Sequence, residues 1–374
     1  MRQGKNRGNR VGAQAGERRT RHPFHMHDSI HTQPEAFARV LERSDALAER
    51  FAAEAAACER LFLVGIGTSH HAARVGEHLF RAYGGGLDAR AVHSFDFALY
   101  GPEVTARDCV VAVSHRGSKR YTAAALRRAR EAGSRTALVT GEGATVSVET
   151  DAVFETVPQE RSSAHTVSYT SAVAVLALLA ALAGRLRTGS ETLEMGFLRE
   201  EIPAALREAL GTEDEARALA GEHVGRRRIW LAGGGPSAVT AEETALKIKE
   251  TSYLQAEGMP TETMLHGPFQ CVEAEDLFVL VAPSGAAQGR TLEVADLAGE
   301  VGAPSLVVSD GTAGIPGGAS SLAVREVPEP FSALACLVPL QLFAYHLALA
   351  RGTNPDSFRA EDPRFARADV SGRL

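Results

Sequence analysis

Short apolar runs alternate along the chain with longer stretches of helical periodicity. That pattern predicts parallel α/β sheets, whose strands are buried on both faces and read as nearly unbroken apolar segments. LFLVGIGTS (Leu61 to Ser69) predicts a buried strand ending in a glycine turn, followed by a helix through His78. DCVVAVSHRGS (Asp108 to Ser118) predicts a strand running into a turn, then a helix through Arg130. SRTALVTG (Ser134 to Gly141) and AVFETV (Ala152 to Val157) complete the set. The same order then returns, with IWLAGGGPS starting at Ile229, DLFVLVAPSG at Asp276 and APSLVVSD at Ala303. Asp108 and Asp276 are 168 positions apart, and Val139 and Val308 are 169 apart. So even a register points to two copies of one domain made by tandem duplication. The expected organisation is a disordered basic tail (1–24), a first domain (25–188), connecting helices rich in Glu, Ala and Leu (189–222), a second domain (223–345) and a C-terminal tail (346–374).

Length agrees with two domains, since 374 residues suffice for two separate cores. Hydrophobic residues make up 44% and the net charge is -6, so the balance of charge points to neither nucleic acid nor an acidic membrane as partner. Cys58, Cys109, Cys271 and Cys336 are scattered with no CxxC pair, which fits a reducing, cytoplasmic location. No run approaches the roughly 18 uninterrupted apolar residues of a membrane span; Ala172 to Gly184 reads as a buried helix. The first 24 residues are basic and polar (Arg2, Lys5, Arg7, Arg10, Arg18, Arg19, Arg21) and lack the apolar core of a secretory signal.

In doubly wound sheets, ligands sit beyond the carboxyl ends of the strands, where the strand order reverses. Gly67-Thr68-Ser69 stands at such a strand end and offers hydroxyls and backbone N–H groups at a helix N-terminus, which suits a phosphate. Ser114-His115-Arg116-Gly117-Ser118-Lys119 repeats the arrangement and adds cations. The equivalent loops of the second copy, Gly233 to Ser237 and Ala282 to Gly285, keep the turn and lose the cations, so that copy is expected to be structural there. A dinucleotide site is excluded, because Gly65-Ile66-Gly67 lacks the third glycine of GxGxxG. In EETALKIKETSYLQAEGMPTETMLHGP (Glu242 to Pro268), Glu243, Lys247 and Glu250 fall on one helical face, and the helix is read as running straight into His266-Gly267-Pro268. A carboxylate and an imidazole brought together suit proton transfer.

At these residues the chain resembles the sugar isomerase (SIS) family, in particular the isomerase half of glucosamine-6-phosphate synthase and related amino-sugar-phosphate deaminases and ketose/aldose isomerases. IHTQPEAF (Ile30 to Phe37), the GTS at Gly67, ALKIKETSYLQAEGMPTETMLHGP (Ala245 to Pro268) and VPLQLFAYHLALARGTNPD (Val338 to Asp356) carry the likeness. The resemblance implies two tandem SIS domains, each a flavodoxin-like parallel sheet with helices on both faces, and a C-terminal tail lying over the active site. It implies a phosphorylated sugar as substrate. Glu250 would shuttle a proton between C1 and C2, supported by Glu243 and Lys247. His266 would assist ring opening, reaching into a neighbouring subunit's site in a homodimer. Thr68, Ser69 and the Ser114 loop would hold the phosphate.

Three departures qualify that reading. The resemblance does not extend to the synthase's glutaminase domain: no cysteine precedes Cys58, so glutamine-dependent amide transfer by this chain alone is not expected. No lysine follows Lys249 to form the synthase's Schiff base, and Arg367 or Ala368 stands near the corresponding place; arginine stays protonated and cannot make an imine. The usually neutral phosphate loop carries His115, Arg116 and Lys119, and the next loop, SSAHTVSYT (Ser162 to Thr170), brings Ser163 and His165, so the pocket is expected to be unusually cationic. No metal or organic cofactor is expected. His25, His27 and His31 have no carboxylate or cysteine companions in the sequence and are read as solvated or packing residues. The expected function is aldose–ketose isomerisation or deamination of an amino-hexose phosphate. The alternatives are the isomerase subunit of a synthase-like aminotransferase and a non-catalytic phosphosugar sensor.

Overall fold

In a computed structural model, the described residues are 18–311 and 314–368. They form two five-stranded sheets, β2-β1-β3-β4-β5 and β10-β9-β8-β6-β7, with every strand pairing parallel. The chain enters through helices α1 (His25–His31) and α2 (Gln33–Ala56), then builds β1 (Arg60–Gly65), α3 (Thr68–Tyr83), β2 (Asp88–His93), α4 (Ser94–Leu99), β3 (Asp108–Val113), α5 (Arg120–Glu131), β4 (Arg135–Glu142), β5 (Ala152–Pro158) and α6 (Val167–Thr188). Helices α7 (Ile202–Leu210) and α8 (Glu213–Glu222) lead to the second domain. There β6 (Ile229–Gly233), α9 (Pro236–Ser252), β7 (Ala256–Pro260), α10 (Thr261–Leu265), β8 (Leu277–Val281), α11 (Gln288–Glu300), β9 (Ser305–Ser309), β10 (Ser320–Ala323), α12 (Glu329–Ala335) and α13 (Leu337–Ala350) follow, and a short α14 (Pro363–Ala368) closes the described chain.

The period of two along each strand divides the core. Leu61 and Leu63 of β1 face one large apolar cluster that is continuous through both domains. Phe62 and Val64 face a smaller one under α4 and α5. Trp230 and Ala232 do the same under α10 and α11. Helix α6 is buried along nearly its whole length in the shared core. That helix and the segment Glu329–Ala350 are apolar and long enough to cross a membrane, yet 100% and 89% of their apolar windows are buried inside the protein.

The duplication reaches individual contacts. Arg60 Nη2 lies 2.7 Å from Asp108 Oδ2, and Arg228 Nη2 lies 2.9 Å from Asp276 Oδ2. Gly67 and Gly235 share one left-handed conformation, with φ 57° and 53°. Strands β2, β7 and β10 were not anticipated. All three are sheet edges with partly exposed side chains, so they lack the apolar run that marks a central strand. Two boundaries also move. Residues 18–24, expected to be disordered, lie against the body: Arg19 pairs with Asp28 at 2.7 Å, His22 Nδ1 lies 2.8 Å from Tyr345 Oη, and Phe24 is buried. Residues 1–17 lie outside the described ones. The tail expected from 346 starts later, because α13 continues to Ala350.

Candidate active site

With the strand order 2-1-3-4-5, the first domain's topological switch falls between β1 and β3, and the loops following those strands line one crevice. A cavity of about 420 Å³ opens there. Gly67 has nothing within 4 Å of where a Cβ would be, so its loop stays open to a ligand. The second domain's equivalent crevice is filled: a Cβ on Gly234 would lie 2.1 Å from Ala287 Cβ, and one on Gly285 would lie 2.4 Å from Glu329 Oε1. Local packing thus closes the second crevice, at the loops that have lost their cations.

The cavity wall brings together Thr68, Ser69, Ser114, His115, Arg116, Lys119, Ser163, His165, Lys247 and Glu250 from the sequence reading. Ser118 is exposed and stands outside that wall. Ser114 Oγ and His115 Nδ1 are buried without a hydrogen-bond partner among the described residues. His115 Nε2 accepts the Glu160 N–H at 3.1 Å, which leaves Nδ1 as the protonated nitrogen. An unsatisfied buried donor costs about 1–3 kcal/mol, and one in a cavity wall calls for a ligand or water. Burial keeps the His115 imidazole below its ordinary pKa and pushes His165 down to about 4. Both rings are therefore neutral at pH 7, and the cations of this wall are Arg116 and Lys119, whose own pKa is lowered by burial and by Arg116.

Opposite stands helix α9, packed on α3 of the first domain. Lys247 and Glu243 are 1% and 0% exposed, which excludes a solvated charged face. Lys247 Nζ donates to Glu250 Oε2 at 2.6 Å and to Thr68 Oγ1 at 3.1 Å, and lies 3.4 Å from Glu243 Oε1. Thr68 in turn donates to Glu243 Oε1 at 3.0 Å, so its hydroxyl is engaged with α9. Burial alone would depress the Lys247 ammonium, but Glu243 and Glu250 outweigh it and hold its pKa above the ordinary value. Glu243 is the reverse case: burial would raise it, and Lys247, His71 and Thr68 keep it ionised. For Glu250 burial wins, and its pKa lies above the usual carboxylate value despite the neighbouring cation. A base is thereby tuned toward neutral pH.

His266 is not brought to its own chain's cavity. Helix α9 ends at Ser252, and Tyr253 turns the chain with φ 58° into edge strand β7 and short α10. His266 follows with its side chain 74% exposed and Nδ1 2.8 Å from the Glu262 carbonyl. The expected uninterrupted helix is corrected accordingly, because Gly258 and Pro260 suit an edge strand and not a helix interior.

Three participants escaped the sequence reading. His71 Nδ1 lies 2.5 Å from Glu243 Oε2; its position one helical turn after Thr68 was the available signal. Glu160 accepts the Thr166 and Ser168 N–H groups and holds the α6 N-terminus beside His165. Phe358 of the C-terminal tail completes the cavity wall. Its segment is pinned where Ser163 N donates to the Asp356 carbonyl at 3.0 Å. Arg367 and Ala368 lie on α14, exposed and outside that wall.

Comparison with known proteins agrees with this architecture. The SIS domain profile matches residues 56–183 and again 224–351. The chain belongs to the SIS-domain family. Among curated relatives, glutamine–fructose-6-phosphate aminotransferase [isomerizing] of Caulobacter vibrioides is 30% identical over 349 residues, covering 89% of this chain and 57% of that protein. Its counterpart in Aeropyrum pernix is 34% identical over 358 residues, covering 90% and 56%. This SIS protein therefore spans a little over half the length of those relatives. Among solved structures, the C-terminal domain of glucosamine-fructose-6-phosphate aminotransferase from Francisella tularensis superposes with a TM-score of 0.81 at 21% identity, covering 92% of this chain and 100% of that one. Glucosamine-6-phosphate deaminase from Thermotoga maritima gives 0.68 at 19% identity, covering 90% and 97%. At such identities the likeness is one of fold.

Proposed function

We propose that this SIS protein catalyses aldose–ketose isomerisation, deamination, or both, of a phosphorylated hexose or amino-hexose, with Glu250 as the proton-transferring base. One observation carries the reading: a cavity whose one wall holds Ser114 Oγ and His115 Nδ1, without hydrogen-bond partners among the described residues, beside Arg116 and Lys119, and whose other wall presents the Glu250 carboxylate, set on Lys247 and raised in pKa by burial. The cationic loop takes the phosphate. Glu250 removes the proton from C2 of the opened sugar and returns it to C1. For a 2-amino sugar the same transfer leaves an imine at C2, which water hydrolyses with release of ammonia. The test is a panel of hexose and hexosamine 6-phosphates scored for isomer formation, ammonia release and thermal shift. Turnover of at least one is expected. Thermal stabilisation with no turnover would replace this reading by that of a phosphosugar sensor.

Arg116 lies at the anion end, away from C1 and C2 in this assignment. A charge-assisted hydrogen bond contributes about 1.5–3 kcal/mol, so Arg116→Ala is expected to raise KM about ten- to a hundred-fold and leave kcat nearly unchanged. An equal loss in kcat would move Arg116 into the chemistry.

His266 is assigned to the cavity of a second copy in a two-fold dimer. Equal amounts of Glu250→Gln and His266→Asn subunits, mixed and reassembled, should then recover about one quarter of wild-type activity, because half the dimers are mixed and each has one intact site. No recovery after verified exchange would confine each site to a single chain.

The curated relatives support a second reading, the isomerase half of an aminotransferase working through a sugar imine. Lys119, with its lowered pKa, and Lys247 are the amines in the cavity wall. Borohydride trapping of the sugar on either lysine would favour that reading.

A further inference from the structure

Far in sequence but together in space, four side chains converge at the junction of the N-terminal helix, the interdomain connection and the last long helix. His27 and His31 lie one turn apart on α1, His346 is on α13 and Glu213 opens α8. His27 Nε2 is 2.9 Å from Glu213 Oε1, His31 Nε2 is 2.9 Å from Oε2, and His346 Nε2 is 2.8 Å from Oε1. One donor atom from each of His27, His31 and Glu213 lies within 4.8 Å of the others. The fold brings these histidines a carboxylate and a third imidazole from distant parts of the chain.

We propose that this cluster is a binding site for one divalent transition-metal ion of the zinc type, held by His27, His31 and Glu213, with His346 hydrogen-bonded to the same carboxylate. The donor set is two imidazole nitrogens and one carboxylate, which suits Zn²⁺, Co²⁺ or Ni²⁺ and not the oxygen-seeking Mg²⁺ or Ca²⁺. A tetrahedral ion about 2.0–2.2 Å from each donor spaces its ligands roughly 3.3 Å apart. The donor atoms of His27, His31 and Glu213 all lie within 4.8 Å of one another, so side-chain adjustment brings them to that spacing. Charge favours occupancy too. Among the described residues no lysine or arginine pairs with Glu213, which faces imidazoles alone. His22 meets His27 edge-on with ring centroids 4.9 Å apart, and its Nδ1 lies 2.8 Å from Tyr345 Oη.

The ion would tie α1 to α8, and His346 of α13 bonds the same carboxylate. The first two amides of α1, His25 N and Met26 N, donate to the Asp356 carboxylate at 2.9 Å, and Asp356 lies two residues before Phe358 of the cavity wall. The proposal does not depend on the phosphosugar assignment.

The test uses the untagged full chain, stripped with chelator and titrated with Zn²⁺ by equilibrium dialysis and with Co²⁺ by visible absorption. Expected are one ion per chain at micromolar affinity or tighter, four- or five-coordinate Co²⁺ bands, and a Zn²⁺-dependent rise in Tm. His31→Gln and Glu213→Gln, checked for native circular dichroism, should each weaken binding at least about tenfold and lose the Tm rise, while His25→Gln binds as wild type. Absence of tight uptake by the wild-type chain, or unchanged binding in both ligand variants, would overturn the site and leave a hydrogen-bonded cluster only.

Discussion

Glu250→Gln is expected to slow solvent deuterium exchange at C1 and C2 of a bound sugar phosphate by about 10²–10⁴-fold, with affinity altered only a few-fold. The amide keeps the shape and can still accept from the Lys247 ammonium, which lies 2.6 Å from Oε2, but it cannot take a proton from carbon. Exchange measured by NMR in D₂O separates this step from ring opening and product release. Exchange near the wild-type rate would remove Glu250 from the role of base. The same assignment fixes the pH dependence. Glu250 acts ionised, so kcat/KM falls as pH drops through its pKa. Burial places that pKa above the usual carboxylate value, and the acid limb should lie correspondingly higher. Lys247 is the first opposing influence, so its removal should move the limb further toward neutral pH. An acid limb at the pH of an ordinary exposed carboxylate would contradict the buried environment.

Lys247→Met is expected to cost about 3–5 kcal/mol of stability, because it strands two carboxylates beside one another without their shared cation. Glu243 is fully buried and Lys247 nearly so, and the ammonium also holds Thr68 of the opposite domain. The loss should therefore appear as weaker docking of α9 on α3 as well as in urea-induced unfolding. Adding Glu243→Gln to Lys247→Met should recover part of the loss, since one stranded charge is removed, and the double-mutant cycle measures that coupling. A single variant within about 1 kcal/mol of wild type would mean that the buried charges are hydrated or protonated, and the α9 arrangement would have to be redrawn.

Much of this was legible in the chain. The central strands β1, β3, β4, β6, β8 and β9 announce themselves because burial on both faces demands continuous apolar runs. The duplication is visible because each copy repeats the same strand–turn–helix chemistry, down to Asp108 and Asp276. The face bearing Glu243, Lys247 and Glu250 follows from helical periodicity alone. The edge strands do not: β7, hidden in AEGMP, interrupts the stretch read as one helix and carries His266 to the surface. Nothing local distinguishes a half-exposed strand of five residues from a turn.

What the sequence determined by itself is therefore periodicity: the strands that fill the cores, the repeat, and the helical register that aligns three charged residues. What only the tertiary structure decided is juxtaposition. His71 meets Glu243, Phe358 reaches the cavity, Ala287 and Glu329 fill the second crevice, and His346 and Glu213 join His27 and His31. Those pairs lie tens to hundreds of residues apart, and their energies depend on burial and distance, which exist only once the helices have packed.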